Sequence, residues 1–165
     1  MTVTSYAQNN EDIMLWRALK HIDNGFYIDV GAAWPDEHSV SKLFYDQGWH
    51  GINIEPNPVH IKRYPKERLG DINLPVAISN KIGKAEMYFI SDTGLSSLNK
   101  KIVDSHIKLG SKTTKRTVNV TTLASICEEH CTKNEIHFLK IDIEGLEKQA
   151  LLGNDWVKFR PWVVV

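Results

Sequence analysis

Short apolar runs separated by helix-like segments constrain the fold of this chain more than any other sequence feature. Three of them read FYIDV (26–30), GINIE (51–55) and HFLKID (137–142). Runs of this length suit strands that are buried on both faces of a parallel sheet. Helix-like segments between such strands imply right-handed crossovers. The predicted fold class is therefore α/β, a mostly parallel sheet with helices on both faces.

The remaining elements follow from periodicity and turn residues. Helices are predicted at 10–22 with Asn9 or Asn10 as the cap, near Val40–Phe44, after Asn57-Pro58, at 123–131 and at 146–152. Further strands are predicted at NLPVAIS (73–79), RTVNVTTL (116–123) and PWVVV (161–165), with KAEMYFI (84–90) as a hairpin-like excursion and 91–115 as a long loop. The chain ends within an apolar strand, so we expect one domain over 1–165 that is truncated at its C-terminus.

Charge composition argues against nucleic-acid and membrane-surface partners. Lys plus Arg and Asp plus Glu both number 20, so the chain has no basic field to attract a polyanion. No apolar run approaches the length of a membrane span. The first residues, MTVTSYAQNNED, lack the basic and apolar regions of a signal peptide. We therefore expect a cytoplasmic protein without a membrane span.

The two cysteines leave two interpretations open. Cys127 and Cys131 are four residues apart, which on a helix places both thiols on one face. A metal or redox pair is conceivable, but no further ligands cluster nearby, and two reduced thiols are favoured. No metal site is predicted.

Acidic residues end three of the predicted strands. Asp29, Glu55 and Asp142 stand at these positions, and Gly31 follows the first of them. Ligands of open α/β sheets bind outside the carboxyl ends of the strands, and an acid there commonly accepts hydrogen bonds from ribose hydroxyls. A glycine permits close approach of the backbone to the ligand. The pattern indicates an adenosine-containing ligand, although each acid alone could simply cap the next helix.

The loop after the first strand discriminates between nucleoside ligands. It reads Gly31-Ala32-Ala33-Trp34-Pro35-Asp36, without the Gly-x-Gly-x-x-Gly pattern that brings a helix N-terminus to a pyrophosphate. Asp36 and Glu37 are expected to repel a diphosphate. A cationic sulfonium nucleoside tolerates these acids, so S-adenosylmethionine is a better candidate than NAD.

Several segments together resemble a known family. SYAQNNEDIMLWRAL, FYIDVGAAWPDEHSVSKLFYDQGWHGINIEPNP, TVNVTTL and FLKIDIEGLE resemble the FkbM family of S-adenosylmethionine-dependent methyltransferases. The resemblance implies a Rossmann-like methyltransferase fold and methylation of hydroxyl oxygens, often on sugars. It assigns Asp29 and Gly31 to the first cofactor loop, Glu55 to the ribose, 77–80 to the adenine and Asp142 to the methionine portion. The full set of predicted cofactor-binding residues is Gln8, Asp29, Gly31, Ala32, Ser39, Glu55, Asn57, Ala77, Ile78 and Asp142.

Catalysis of methyl transfer to a hydroxyl benefits from a general base. The candidates are Asp142 and Glu144, two residues apart at a strand end, and His38 in the loop after the first strand. Glu144 could instead cap a helix. The segment 93–97, TGLSS, could hydrogen-bond a hydroxylated acceptor or form a polar turn.

Tryptophans and the N-terminal segment supply further candidates. Trp34 and Trp49 could stack on a sugar or an adenine, although Trp49 is better explained by packing beneath the second strand. Tyr6, Gln8 and Asp12 could close over the cofactor.

Three functions remain open from the sequence. The first is an O-methyltransferase that acts on a hydroxyl of a saccharide or related small molecule. The second is a non-catalytic or truncated module of a larger glycan-processing protein, and the third is an NAD-dependent oxidoreductase. The expected partner is a small-molecule or glycan acceptor, with self-association or fusion to a glycan-processing domain left open.

Overall fold

The computed structural model describes residues 3–90, 96–97, 100–131 and 135–165. Within these ranges the strands are β1 Phe26–Val30, β2 His50–Ile54, β3 Ile72–Leu74, β4 Ala77–Ile78, β5 Gly83–Ile90, β6 Ser96–Ser97, β7 Thr113–Thr121, β8 Phe138–Ile141 and β9 Val163–Val164. The helices are α1 Glu11–Leu19, α2 Lys42–Asp46, α3 Pro58–Ile61, α4 Tyr64–Glu67, α5 Lys100–Lys108, α6 Leu123–His130 and α7 Glu147–Leu152.

The strands form two sheets. The first sheet has the order β3-β2-β1-β8-β9, and all of its neighbouring strands are parallel. The second sheet has the order β4-β7-β5-β6, in which β4 and β7 are parallel and the other pairs antiparallel. The predicted mixed α/β class with a mostly parallel sheet is thereby confirmed.

Both faces of the first sheet are buried, because alternate side chains of each strand point to opposite sides. On one face, Ile28 and Ile52 belong to an apolar cluster that includes Ile126 of α6 and Ala150 of α7. On the other, Tyr27 packs in a cluster with residues of α1 and α2. Helices therefore cover both faces, and the central strands have no exposed side.

The predicted third strand is wrong as a single element. NLPVAIS divides into β3, which joins the first sheet, and β4, which joins the second. Pro75 lies between them and has no N–H to donate to a strand ladder. The chain therefore leaves one sheet at this proline and enters the other.

The predicted loop at 91–115 is also wrong in part. It contains α5 and the start of β7, which pairs with β5 from Thr113 to Val120. KAEMYFI forms antiparallel pairs with β6 and β7, but no hairpin forms across the preceding turn, because β7 lies between β4 and β5. The rest of the prediction, at 91–95 and 98–99, lies outside the described residues.

The two predicted helix caps have different outcomes. Asn57 Oδ1 accepts a hydrogen bond from the Val59 N–H, as predicted, and Pro58 opens α3. Asn10 precedes α1 but makes no side-chain cap, because its backbone is left-handed (φ 61°) instead of extended as capping requires. Asn9 is no cap either, since its N–H and its side-chain amide both donate to Glu11. In the described part of the chain no helix combines the length and apolarity that crossing a membrane requires.

Candidate functional site

A cavity of about 250 Å³ lies at the carboxyl ends of the first sheet. The strand ends of β1, β2 and β8 form one wall, and residues of the second sheet, among them Met87 and Ser96, form another. A pocket outside the carboxyl ends is where parallel α/β sheets bind ligands.

The cavity brings together most of the residues predicted to bind or act on a ligand. Eight of them line it: Gln8, Gly31, His38, Glu55, Ala77, Ile78, Asp142 and Glu144. Four others do not line it: Asp29, Ala32, Ser39 and Asn57. These four residues lie behind the residues that line the cavity.

Glu55 is the most enclosed carboxylate of the cavity. It follows β2 and is 5% exposed. Its Oε1 accepts the Asn57 N–H at 2.7 Å, and its Oε2 accepts the Ala33 N–H at 2.9 Å. The carboxylate is therefore fixed in orientation by the backbone of two loops.

Burial also changes the acidity of Glu55. Desolvation raises the pKa of this carboxyl to about 7, although the two backbone N–H donors and Lys140 act in the opposite direction. A ligand that donates hydrogen bonds to the carboxylate favours its charged form. Binding and ionisation of Glu55 are therefore linked.

Asp29 takes a supporting position and does not line the cavity. In the sheet it lies between Asn53 and Lys140, and its side chain is directed to the face of Tyr27. It accepts a hydrogen bond from the Ser41 hydroxyl at 2.7 Å and lies 3.3 Å from the Lys140 ammonium.

Lys140 connects the buried Asp29 carboxylate to the cavity. Its Nζ donates to the Gly31 carbonyl at 2.7 Å, and its side chain lines the cavity. Lys140 thereby holds the first loop, while Asp29 compensates its charge. Lys140 was not among the predicted site residues, although a lysine inside the apolar run FLKI is unusual and could have indicated its role.

Arg68 fixes the loop after β1. It is fully buried and donates to the Pro35 carbonyl from both Nε (3.0 Å) and Nη2 (2.6 Å). The same Nη2 donates to the Ser39 hydroxyl. The Ala32 carbonyl accepts from the Tyr64 hydroxyl at 2.8 Å. The predicted residues Ala32 and Ser39 are therefore anchor points of the loop.

The loop after β8 is tightly packed and strained. An added Cβ on Gly31 (φ +73°) would lie 2.0 Å from the Asp142 carbonyl oxygen, so only glycine fits there. Glu144 has a left-handed backbone (φ 54°). Glu147 accepts the N–H groups of Ile143 and Gly145, and the residue at the N-cap position of α7 is Leu146.

The N-terminal segment reaches the cavity through Gln8. The Asp12 carboxylate accepts the backbone N–H groups of Tyr6 and Ala7, and the Ser39 N–H donates to the Tyr6 carbonyl. These bonds fix the segment beside the loop after β1. Asp12 therefore has a structural role, whereas Gln8 lines the cavity.

The two tryptophans have separate roles. Trp34 lines the cavity, with His60 3.9 Å and the Arg63 guanidinium 5.4 Å from its ring centre. Burial lowers the pKa of His60 to about 4, so this imidazole is neutral near neutral pH. Trp49 is buried beneath β2 against Phe44, which confirms the packing interpretation.

Neither cysteine belongs to the cavity. Cys127 and Cys131 are free, buried thiols, and their mutual hydrogen bond together with burial raises the pKa of Cys127. Residues 3–90, 96–97, 100–131 and 135–165 contain no cluster of three or more His, Cys, Asp or Glu side chains placed to hold a metal ion.

A comparison with known families identifies the family of the chain. The family model described as the methyltransferase FkbM domain matches residues 29–165, a range that includes the last two residues of β1 and all of β2 to β9. No curated protein and no solved structure matches the chain. The family match covers well over half of the chain, which therefore belongs to the FkbM methyltransferase family.

Proposed function

We propose that the cavity binds S-adenosylmethionine and that the chain transfers the methyl group to a hydroxyl of a saccharide or related small molecule. The observation that carries this proposal is the Glu55 carboxylate, buried at the end of β2 and facing the cavity. Each of its oxygens accepts one backbone N–H and retains a second lone pair. Adjacent ribose hydroxyls are suitable donors for these lone pairs.

The topology supports a Rossmann-like methyltransferase sheet. Numbered within the first sheet alone, its strands follow the order 3-2-1-4-5, as in the doubly wound nucleotide-binding folds. The order reverses between β1 and β8. Gly31 and Asp142 line the cavity directly after these two strands. The pocket thus lies at the topological switch point, where such folds bind ligands.

The segment after β1 argues for a nucleoside without a pyrophosphate. Residues 31–41 are not helical, and α2 begins only at Lys42 and has five residues. No helix therefore begins directly after Gly31, where its N-terminus could receive phosphates. The expected repulsion by Asp36 is a weaker argument, because Asp36 pairs with Arg63 at 2.7 Å and does not line the cavity.

The residues of the chain fit the requirements of methyl transfer. When bound, S-adenosylmethionine supplies an electrophilic methyl group. The cavity walls place the acceptor hydroxyl, and positioning of this kind is worth about 7–11 kcal/mol. Asp142, Glu144 and His38 line the cavity as candidate acceptors of the hydroxyl proton, which adds roughly 10²–10⁴-fold in rate.

Calorimetric titration with S-adenosylhomocysteine tests the cofactor assignment. We expect the chain to bind this product and Glu55→Ala to weaken the binding at least about 100-fold, because two charge-assisted hydrogen bonds are lost. Glu128→Ala is the matched control, since Glu128 is a surface residue paired with Lys158 outside the cavity. Its affinity should equal that of the unmodified chain.

Glu55→Ala also removes the acceptors of two backbone N–H groups, so thermal unfolding must show that the variant is folded. Glu55→Gln provides a milder second variant. A folded chain that does not bind S-adenosylhomocysteine, or binds it equally in all variants, would contradict the proposal. Binding of NADH in its place would favour the nicotinamide alternative.

A further inference from the structure

Ser96 carries a buried hydroxyl that has no partner among the described residues. The side chain is 8% exposed, its Oγ is buried without a hydrogen bond, and it lines the cavity. Leaving a buried hydroxyl without a hydrogen bond is unfavourable, because the group has lost its contacts with water. An arrangement of this kind points to a ligand that supplies the missing hydrogen bond.

The position of Ser96 identifies the part of the cavity that this ligand occupies. β6, which contains Ser96, and β4, which contains Ala77, lie at opposite edges of the second sheet. The neighbouring Ser97 hydroxyl donates to the Glu144 carbonyl at 2.9 Å. Ser96 is therefore attached to the loop after β8, at the end of the cavity that contains Asp142.

This end differs from the one assigned to the nucleoside. Glu55 lies after β2, and β1 separates β2 from β8 in the first sheet. A ligand whose ribose is held by Glu55 therefore extends past Gly31 toward Asp142. The part of the cavity beside Asp142 and Ser96 is then left for a second molecule.

We propose that Ser96 binds the hydroxyl group of the methyl acceptor and so determines its orientation, an inference that rests on the proposed function. A serine hydroxyl both donates and accepts, as does an alcohol, and it carries no charge to select an anion. Met87 lines the cavity on the adjacent strand and provides an apolar contact. A neutral polyhydroxylated acceptor, with alternating C–H and O–H groups, matches this pair.

Acceptor binding is tested with the full chain saturated with S-adenosylhomocysteine. The probes are the methyl glycosides of glucose, galactose, mannose and rhamnose, detected by saturation-transfer difference NMR. We expect at least one glycoside to bind and Ser96→Ala to weaken it roughly tenfold, while the affinity for S-adenosylhomocysteine changes less than about twofold.

Two further variants separate binding from structure. Ser96→Thr keeps the hydroxyl and should retain most of the glycoside affinity. Ser125→Ala removes a serine hydroxyl from the first turn of α6, outside the cavity, and should leave glycoside binding unchanged.

The outcomes distinguish this inference from the function on which it rests. Failure to bind S-adenosylhomocysteine would contradict the proposed function itself. Binding of S-adenosylhomocysteine without any glycoside, or equal glycoside affinity in Ser96→Ala, would overturn only the role of Ser96. Weaker S-adenosylhomocysteine binding with unchanged glycoside affinity would also overturn it, because Ser96 would then contact the cofactor.

Discussion

The two ends of the cavity are built differently. At the Glu55 end, Glu55, Ala77 and Ile78 are all buried, and the carboxylate is held by two backbone N–H groups. At the Asp142 end, Asp142 is exposed, and the buried Ser96 hydroxyl is unsatisfied among the described residues. One end is thus preorganised around a fixed group, whereas the other is open to solvent.

Strained backbone conformations also occur around the cavity. Among the described non-glycine residues with positive φ, Ala33, His38 and Glu144 line the cavity. Strained backbone persists where the surrounding structure fixes it, and it is common at functional sites. Ala33 in this conformation donates its N–H to Glu55, while His38 and Glu144 are candidate bases that line the cavity. Under the proposed function, the fixed end would recognise the nucleoside and the open end the acceptor.

Gly31 connects the two ends and should give the largest effect. Gly31→Ala would place a methyl group 2.0 Å from the Asp142 carbonyl oxygen, in a left-handed backbone. We expect the free energy of unfolding to fall by about 2–5 kcal/mol and S-adenosylhomocysteine binding to be lost. Urea unfolding and calorimetry measure these quantities.

Gly48→Ala is the matched control for this prediction. Gly48 has a similar positive φ (+87°), but an added Cβ would meet no atom within 4 Å. Gly48→Ala should lower the free energy of unfolding only by the backbone strain, about 1–2 kcal/mol. Equal destabilisation by both substitutions would show that contact between the loops after β1 and β8 does not couple the two ends.

A smaller effect is expected from pH. Because burial raises the pKa of Glu55 to about 7, its carboxylate fraction falls steeply below neutrality. If the ribose hydroxyls require the charged form, the affinity for S-adenosylhomocysteine should be about tenfold weaker at pH 6 than at pH 8. In Glu55→Gln this dependence should disappear. A pH-independent affinity in the unmodified chain would mean that Glu55 does not bind the ribose.

Local sequence patterns predicted the parts of the fold that depend on local physics. The apolar runs at 26–30 and 51–55 formed central strands because they are buried on both faces. Asn57-Pro58 opened a helix because the asparagine side chain caps it directly. The strand-end position of Glu55 followed from the same run, so its place in the cavity was also predictable.

Nonlocal contacts explain what the sequence did not reveal. Asp29 was expected at the ligand, but its position in the pleat directs its side chain toward Lys140 and Ser41. Ser96 belongs to the segment 93–97 that was predicted as a possible acceptor contact, but its place in the cavity depends on the packing of the second sheet across the end of the first. Such pairings join residues far apart in the chain, and no periodicity records them.

The central claim is that one nucleoside spans the cavity from Glu55 to Asp142, and a crystal structure of the complex with S-adenosylhomocysteine tests it most directly. We predict that both ribose hydroxyls lie within hydrogen-bond distance of the Glu55 carboxylate, about 2.5–3.0 Å. We also predict that the sulphur lies nearer to Asp142 than to Glu55. A ligand bound in the reverse direction, or outside this cavity, would contradict the account.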